Sequence, residues 1–192
     1  MKSIAVFCGS SSGASPLYAE AAKNLAAEMA KRHLWCIYGA GNVGLMGILA
    51  DSMLENGGKI IGVIPHFLRE LEVCHENLTE LFVVNSMDER KVKMAELSEG
   101  VIILPGGYGT LDEMFEMITL VQLGQDDQPI GILNVNGYYD HLIKHIDLMV
   151  KESFVKPIHK KLVIVSHDIN ELLDKMNAYQ PKPLTGKWVD RS

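Results

Sequence analysis

The sequence predicts an α/β fold, an open parallel sheet of about seven strands with helices on both faces. Three observations carry this expectation. Short apolar runs alternate with longer segments of helical period, which is the pattern of successive βα units. Three glycine-rich stretches follow directly on apolar runs, where a strand would hand over to a helix. The chain of 192 residues, 47% hydrophobic and 22% charged, is long enough to bury a sizeable core without disulfide or metal staples.

Taken in order, the strands are expected at residues 3–8 (SIAVFC), 34–38 (LWCIY), 60–64 (IIGVI), 81–84 (LFVV), 101–104 (VIIL), 129–133 (PIGIL) and 162–165 (LVIV). Near-continuous apolar runs of this length suit strands buried on both faces. Helical period places helices near 15–32, 43–56, 87–99, 111–123, 138–152 and 168–178. Two of them open on a capping box, in which a Ser or Thr caps the first amides and a Glu three residues later reaches back. These are Ser86-Met-Asp-Glu89 and Thr110-Leu-Asp-Glu113. Residues 1–179 read as a single domain, because no Ser/Gly-rich or single-charge stretch is long enough to be a linker. The tail 180–192, QPKPLTGKWVDRS, has no period and two prolines and is expected to be extended or loosely docked.

A net charge of −6 argues against a nonspecific nucleic-acid or membrane-surface binder, since either needs a positive field. A nucleotide-sized ligand remains compatible with it. The opening MKSIAVFCGSS carries an apolar run of only about five residues, too short for a signal-peptide core or a membrane span. A cytoplasmic protein is therefore expected. Cys8, Cys36 and Cys74 are odd in number and lack CxxC spacing, so they read as reduced core thiols and not as a zinc site. His141 and His145 stand four apart, but no Glu follows in HExxH fashion, and Leu142, Ile143, Ile146, Met149 and Val150 around them read as a core stripe. Neither a metal nor another cofactor is expected.

The chemistry concentrates in three loops: CGSSSG after the first strand, GAGNVGLMG after the second and PGGYGT after the fifth. In an open parallel sheet such loops gather at the carboxyl edge, where a reversal of strand order opens a crevice. Gly39-Ala-Gly41-Asn-Val-Gly44 matches the dinucleotide fingerprint G-x-G-x-x-G. It follows the second strand, however, and the next strand, IIGVIPHF, ends without the acid that would hold a ribose. A dinucleotide site is thus disfavoured, and the plain alternative is that these glycines serve tight turning and close helix packing. PGGYGT lacks the lysine of a triphosphate loop and suits a monophosphate better. Gly106, Gly107 and Gly109 let backbone amides face outward, the positive end of a helix starting near Leu111 favours an anion, and Thr110 adds a hydroxyl donor. By the same local logic, a helix N-terminus lowers the pKa of Glu113, making it an ionised group suited to stabilising positive charge or activating water, and a poor general acid.

CGSS at 8–11, GNVGLMG at 41–47, Met87-Asp-Glu-Arg90-Lys91 and PGGYGTLDE at 105–113 together resemble the LOG (Lonely Guy) family of cytokinin riboside 5′-monophosphate phosphoribohydrolases, long labelled lysine decarboxylases. The resemblance runs from the first strand to about residue 178. It implies a Rossmann-like homodimer that hydrolyses the N-glycosidic bond of purine nucleoside 5′-monophosphates, AMP among them, to free base and ribose 5-phosphate. It further implies Arg90 and Glu113 as the catalytic pair, with Lys91, the stretch from Gly106 through Tyr108 to Glu113, and Thr119 contacting substrate. A substrate-contacting glutamate upstream of the arginine aligns with Glu72, with Glu70 and Glu76 in competition because LRELEVCHENLTEL departs from the family's I-x-G-E. Ala40 stands where the family usually has the middle glycine of GGG. Met46, Met53, Met94, Met114 and Met117 read as core or dimer packing rather than base contacts, although Leu45, Met46 and Met114 could border an adenine pocket. Two other classes remain open from the residues: a nucleotide sensor without turnover, and a pyridoxal-phosphate lysine decarboxylase. The latter needs a Schiff-base lysine with an acid near the pyridine nitrogen, and Lys91 and Lys93 form no such constellation.

Overall fold

The computed structural model describes residues 1–71 and 74–181, with the side chains of residues 70 and 71 left aside. Seven strands, β1 (Ser3–Phe7), β2 (Trp35–Tyr38), β3 (Ile60–Pro65), β4 (Glu80–Val84), β5 (Val101–Ile103), β6 (Ile130–Leu133) and β7 (Val163–Ser166), all pair in parallel. Their order is β4-β3-β2-β1-β5-β6-β7, a Rossmann-like sheet. Each lies where its apolar run placed it, within a residue or two. The six expected helices are α1 (Pro16–Lys31), α2 (Gly44–Glu55), α4 (Met87–Leu97), α5 (Tyr108–Gln122), α6 (Asp140–Lys151) and α8 (Ile169–Asn177). Two further helices, α3 (His66–Leu71) and α7 (Pro157–Lys160), span two turns or fewer, too little for a period to show.

β1 is central, and its alternate side chains build two cores. Ile4 and Val6 join Leu25, Met29, Leu49, Met53 and Leu172 under α1, α2 and α8. Ala5 and Phe7 join Met94, Met114 and Met117 under α4 and α5. Because β1 hands on to β2 on one side while β5 lies on the other, the loops after β1 and β5 diverge around a switch point. The three glycine loops meet there. The Gly9 amide donates to the Pro105 carbonyl at 3.0 Å. Gly44 has φ +60°, and a Cβ on it would fall 2.3 Å from the Ser10 carbonyl carbon. A side chain at that position would push the second loop off the first.

Ser86 caps α4 as expected, accepting from the Glu89 amide at 3.1 Å, while the Glu89 carboxylate accepts from the Asn85 amide at 2.8 Å. The second capping box does not form. α5 begins three residues earlier than the Thr110 signature indicates, with Gly107 as N-cap in an extended conformation and no side-chain cap. Thr110 turns inward instead, 4% exposed. Residues 182–192 of the expected tail lie outside the described residues. Among the described residues no helix is long and apolar enough to cross a membrane.

Candidate active site

Arg90 and Lys91 are neighbours on α4, and the roughly 100° turn between consecutive helical residues sends them to different surroundings. Arg90 goes inward and is 8% exposed. Its Nε donates to the Val63 carbonyl at 3.1 Å and its Nη2 to the Gly39 carbonyl at 3.2 Å, so the ends of β3 and β2 clamp the guanidinium plane. Its Nη1 lies 4.0 Å from Glu113 Oε1. A Cβ on Gly39 would stand 2.0 Å from Arg90 Nη2, so the first glycine of GAGNVG is small because it makes room for this arginine. That reason is absent from the local spacing, which accounts for the glycine only as a turn.

Glu113 comes from the second turn of α5, not the first, with its side chain 12% exposed. Burial pushes its carboxyl up to about 7; the nearby Arg90 charge opposes this and Asp112 adds to it, while more weakly Lys91 lowers it and Glu116 raises it. The expectation of a carboxylate fully ionised at neutral pH, and hence a poor acid, is corrected. With the helix starting at Tyr108, the favourable end of the dipole is spent a turn before Glu113, and loss of water dominates. Cys8 lies near enough to feel Glu113, and its thiol is pushed far up by burial first and that carboxylate second, which makes it an inert core thiol. Lys91 ion-pairs with Glu116 and, at 3.4 Å, with Asp112. The Glu116 hydrogen bond foremost raises its pKa, so it stays an ammonium.

A cavity of about 270 Å³ opens between the first and fifth-strand loops, lined among others by Ser10, Ser12, Tyr18, Gly106, Gly107 and Tyr138. Glycines in the PGGYGT loop differ in why they are glycine. Gly106 is hemmed in, since a Cβ there would meet Thr110 Oγ1 at 2.1 Å and the Gly9 amide nitrogen at 2.9 Å. Gly107 and Gly109 have nothing within 4 Å of that point. Internal packing does not demand glycine at these two positions, and their backbone faces open space. Tyr108 between them is 93% exposed. Two residues that the sequence patterns did not single out support this loop: Tyr138 Oη donates to the Gly106 carbonyl at 2.6 Å and Tyr139 Oη to the Leu104 carbonyl at 2.7 Å. A tandem tyrosine after a strand carries no recognisable spacing.

The structure thus brings Arg90, Glu113, Lys91 and the start of α5 to one end of the sheet. Thr119 does not join them. Six residues beyond Glu113, about 9 Å along the helix axis, it donates to the Phe115 carbonyl at 2.7 Å and lines a separate apolar cavity of about 220 Å³ with Phe115, Ile143, Ile146 and Met149. The stripe on α6 is accordingly half-buried rather than a closed core. Glu72 lies outside the described residues, as does the side chain of Glu70, and Glu76 is exposed. Leu45 borders the loop cavity, while Met46 packs against Gly39 and Gly41 and Met114 is in the core. His141 and His145 are exposed, and among the described residues no three His, Cys, Asp or Glu are gathered as for a metal.

The sequence model of a family described as "Possible lysine decarboxylase" matches residues 46–176. Two cytokinin riboside 5′-monophosphate phosphoribohydrolases of Arabidopsis thaliana are similar over nearly the whole chain. One is 44% identical over 180 residues, covering 94% of this chain and 79% of that protein. The other is 42% identical over 190 residues, covering 98% and 88%. Among solved structures, the molybdenum cofactor carrier protein of Chlamydomonas reinhardtii superposes with a TM-score of 0.68 at 17% identity, over 93% of this chain and 99% of that one, a likeness of fold alone.

Proposed function

The chain belongs to the LOG family of cytokinin riboside 5′-monophosphate phosphoribohydrolases, and from that premise we propose that it is a hydrolase cleaving the N-glycosidic bond of purine nucleoside 5′-monophosphates, AMP included, to free base and ribose 5-phosphate. The observation that carries this reading is the buried pair of Arg90 and Glu113, 4.0 Å apart, beside an open-faced glycine loop at the sheet's switch point. As the C1′–N9 bond breaks, positive charge develops on the ribose, and a carboxylate held in a water-poor site stabilises it most where the charge appears. Glu113 is that carboxylate in its ionised form; water then adds to C1′, and the departing base takes up a proton. Arg90 remains protonated at any ordinary pH, so its part is electrostatic and positional, with two backbone carbonyls fixing its plane. The 5′-phosphate takes the amides of Gly106, Gly107, Tyr108, Gly109 and Thr110 at the start of α5. Glu72 and Lys91 complete the substrate contacts that family membership suggests.

Pyridoxal phosphate does not fit these residues. Lys91, beside Arg90, is held as an ammonium by Glu116 and Asp112, the opposite of the neutral amine that a Schiff base requires. Incubation with a panel of nucleoside 5′-monophosphates, with and without an N6-prenyl group, is expected to release free base and ribose 5-phosphate. Recovery of every nucleotide intact after prolonged incubation would identify a sensor instead and sink the enzymatic reading.

The same proposal includes a cytoplasmic homodimer. Buried thiols at Cys8 and Cys36 suit a reducing compartment. Exposed Leu148, Phe154 and Ile158, chain neighbours of the Met149, Val155 and His159 that line the apolar cavity, supply surface that a second copy would cover. Thr119 lies on that face, so in this proposal its substrate contact is made with the nucleotide of the partner subunit. Light scattering is expected to give twice the chain mass of 21.3 kDa; a monomer at micromolar concentration would remove both the dimer and that role of Thr119.

A further inference from the structure

A loop that grips a phosphate must present amides and withdraw carbonyls, because a carbonyl oxygen facing a phosphoryl oxygen repels it. The four consecutive carbonyls of residues 104 to 107 are all occupied. Leu104 accepts from Tyr139 Oη at 2.7 Å, Pro105 from the Gly9 amide at 3.0 Å, Gly106 from Tyr138 Oη at 2.6 Å and Gly107 from the Leu111 amide at 3.1 Å. No side chain caps α5, which leaves its first amides available to a ligand. Glycine peptides have little steric barrier against flipping, and a flip between Gly106 and Gly107 would exchange an outward amide for an outward carbonyl. Whatever holds the loop in its binding form must therefore come from outside it.

We propose that Tyr138 and Tyr139 are that lock, two positioning residues that keep the carbonyls of the glycine loop turned away from the 5′-phosphate. The proposal rests on the reading that this loop takes the phosphate. Both phenols are themselves fixed. Asn134 accepts from the Tyr139 amide at 2.8 Å through its side-chain oxygen and donates to Asp140 at 2.7 Å. Between them the chain makes a 3₁₀ turn (Val135–Gly137) in which Asn136 adopts φ +50°. The Tyr138 ring stands edge-on to Tyr18 at 5.6 Å and to Tyr139 at 4.8 Å. Tyr139 is 2% exposed, whereas Tyr138 is 42% exposed and borders the loop cavity. The lock therefore acts from the β6 side of the switch point, through the backbone carbonyls of the loop.

Tyr138→Phe keeps the ring and removes only the hydroxyl. We expect KM for AMP, and the inhibition constant of ribose 5-phosphate, to rise roughly tenfold, the scale of one lost hydrogen bond, while the rate on adenosine, which has no phosphate, stays as in the wild type. The melting temperature monitors folding. Unchanged constants for AMP and ribose 5-phosphate overturn the lock and leave the phosphate reading in place. An equal loss on AMP and adenosine also overturns it, by making Tyr138 a general structural residue. Wild-type protein that treats AMP and adenosine alike overturns the phosphate reading and the lock together.

Discussion

Glu113→Gln is expected to lower turnover by about two to three orders of magnitude, the usual cost of removing one preorganised charge at a developing transition state. The substitution preserves shape and leaves the Arg90 contacts to Val63 and Gly39 in place, so the loss isolates the carboxylate's charge. Because burial holds this carboxyl at about 7, wild-type kcat/KM should climb with pH through an inflection near that value as the ionised form fills. The variant's residual rate should show no such step. A wild-type profile that falls through neutrality would instead assign Glu113 the role of proton donor to the leaving base. Stability carries the same signature with opposite sign. A carboxyl that binds its proton more tightly folded than unfolded favours the native state below about pH 4.5, and that advantage is lost as pH rises through 7, on the order of 3 kcal/mol in all. Denaturant unfolding at pH 5 and pH 8 should therefore show a loss in wild type that is absent from Glu113→Gln. Identical losses in the two proteins would contradict the buried, proton-binding carboxyl.

Arg90→Ala is expected to be worse in two ways. Turnover should fall at least about a hundredfold through loss of the fixed positive charge. Folding should suffer as well, since truncation strands the Val63 and Gly39 carbonyls in a buried site and opens a cavity, costing roughly 2 to 5 kcal/mol. Without the arginine, its lowering influence on Glu113 is also gone, so the carboxyl holds its proton to still higher pH. Arg90→Lys restores charge but not the planar fork that spans two carbonyls, and should recover some stability and little turnover. Denaturation midpoints measured alongside rates decide the matter: an Arg90→Ala protein as stable as wild type would show that the buried clamp contributes nothing to folding.

The alternation of seven strands with six long helices is legible in the amino-acid order, because buried parallel strands and amphipathic helices write their periods directly into apolar spacing. The Ser86 cap is equally legible, since an N-cap and its partner lie within one turn. The motifs around Arg90 and Glu113 were legible too, as short fixed spacings. The features that escape local spacing involve residues distant along the chain or the amount of water around them. Gly39 and Arg90, 51 positions apart, meet across the sheet edge, and Tyr138 reaches Gly106 from 32 positions away. The start of α5 at Tyr108 rather than beyond Thr110 depended on Thr110 packing beneath Gly106. The proton affinity of Glu113 followed from its burial, which outweighs the nearby Arg90 charge. Local spacing records which groups lie on one face of one element; desolvation and cross-chain contact arise only when elements from separate stretches close over the same few ångströms.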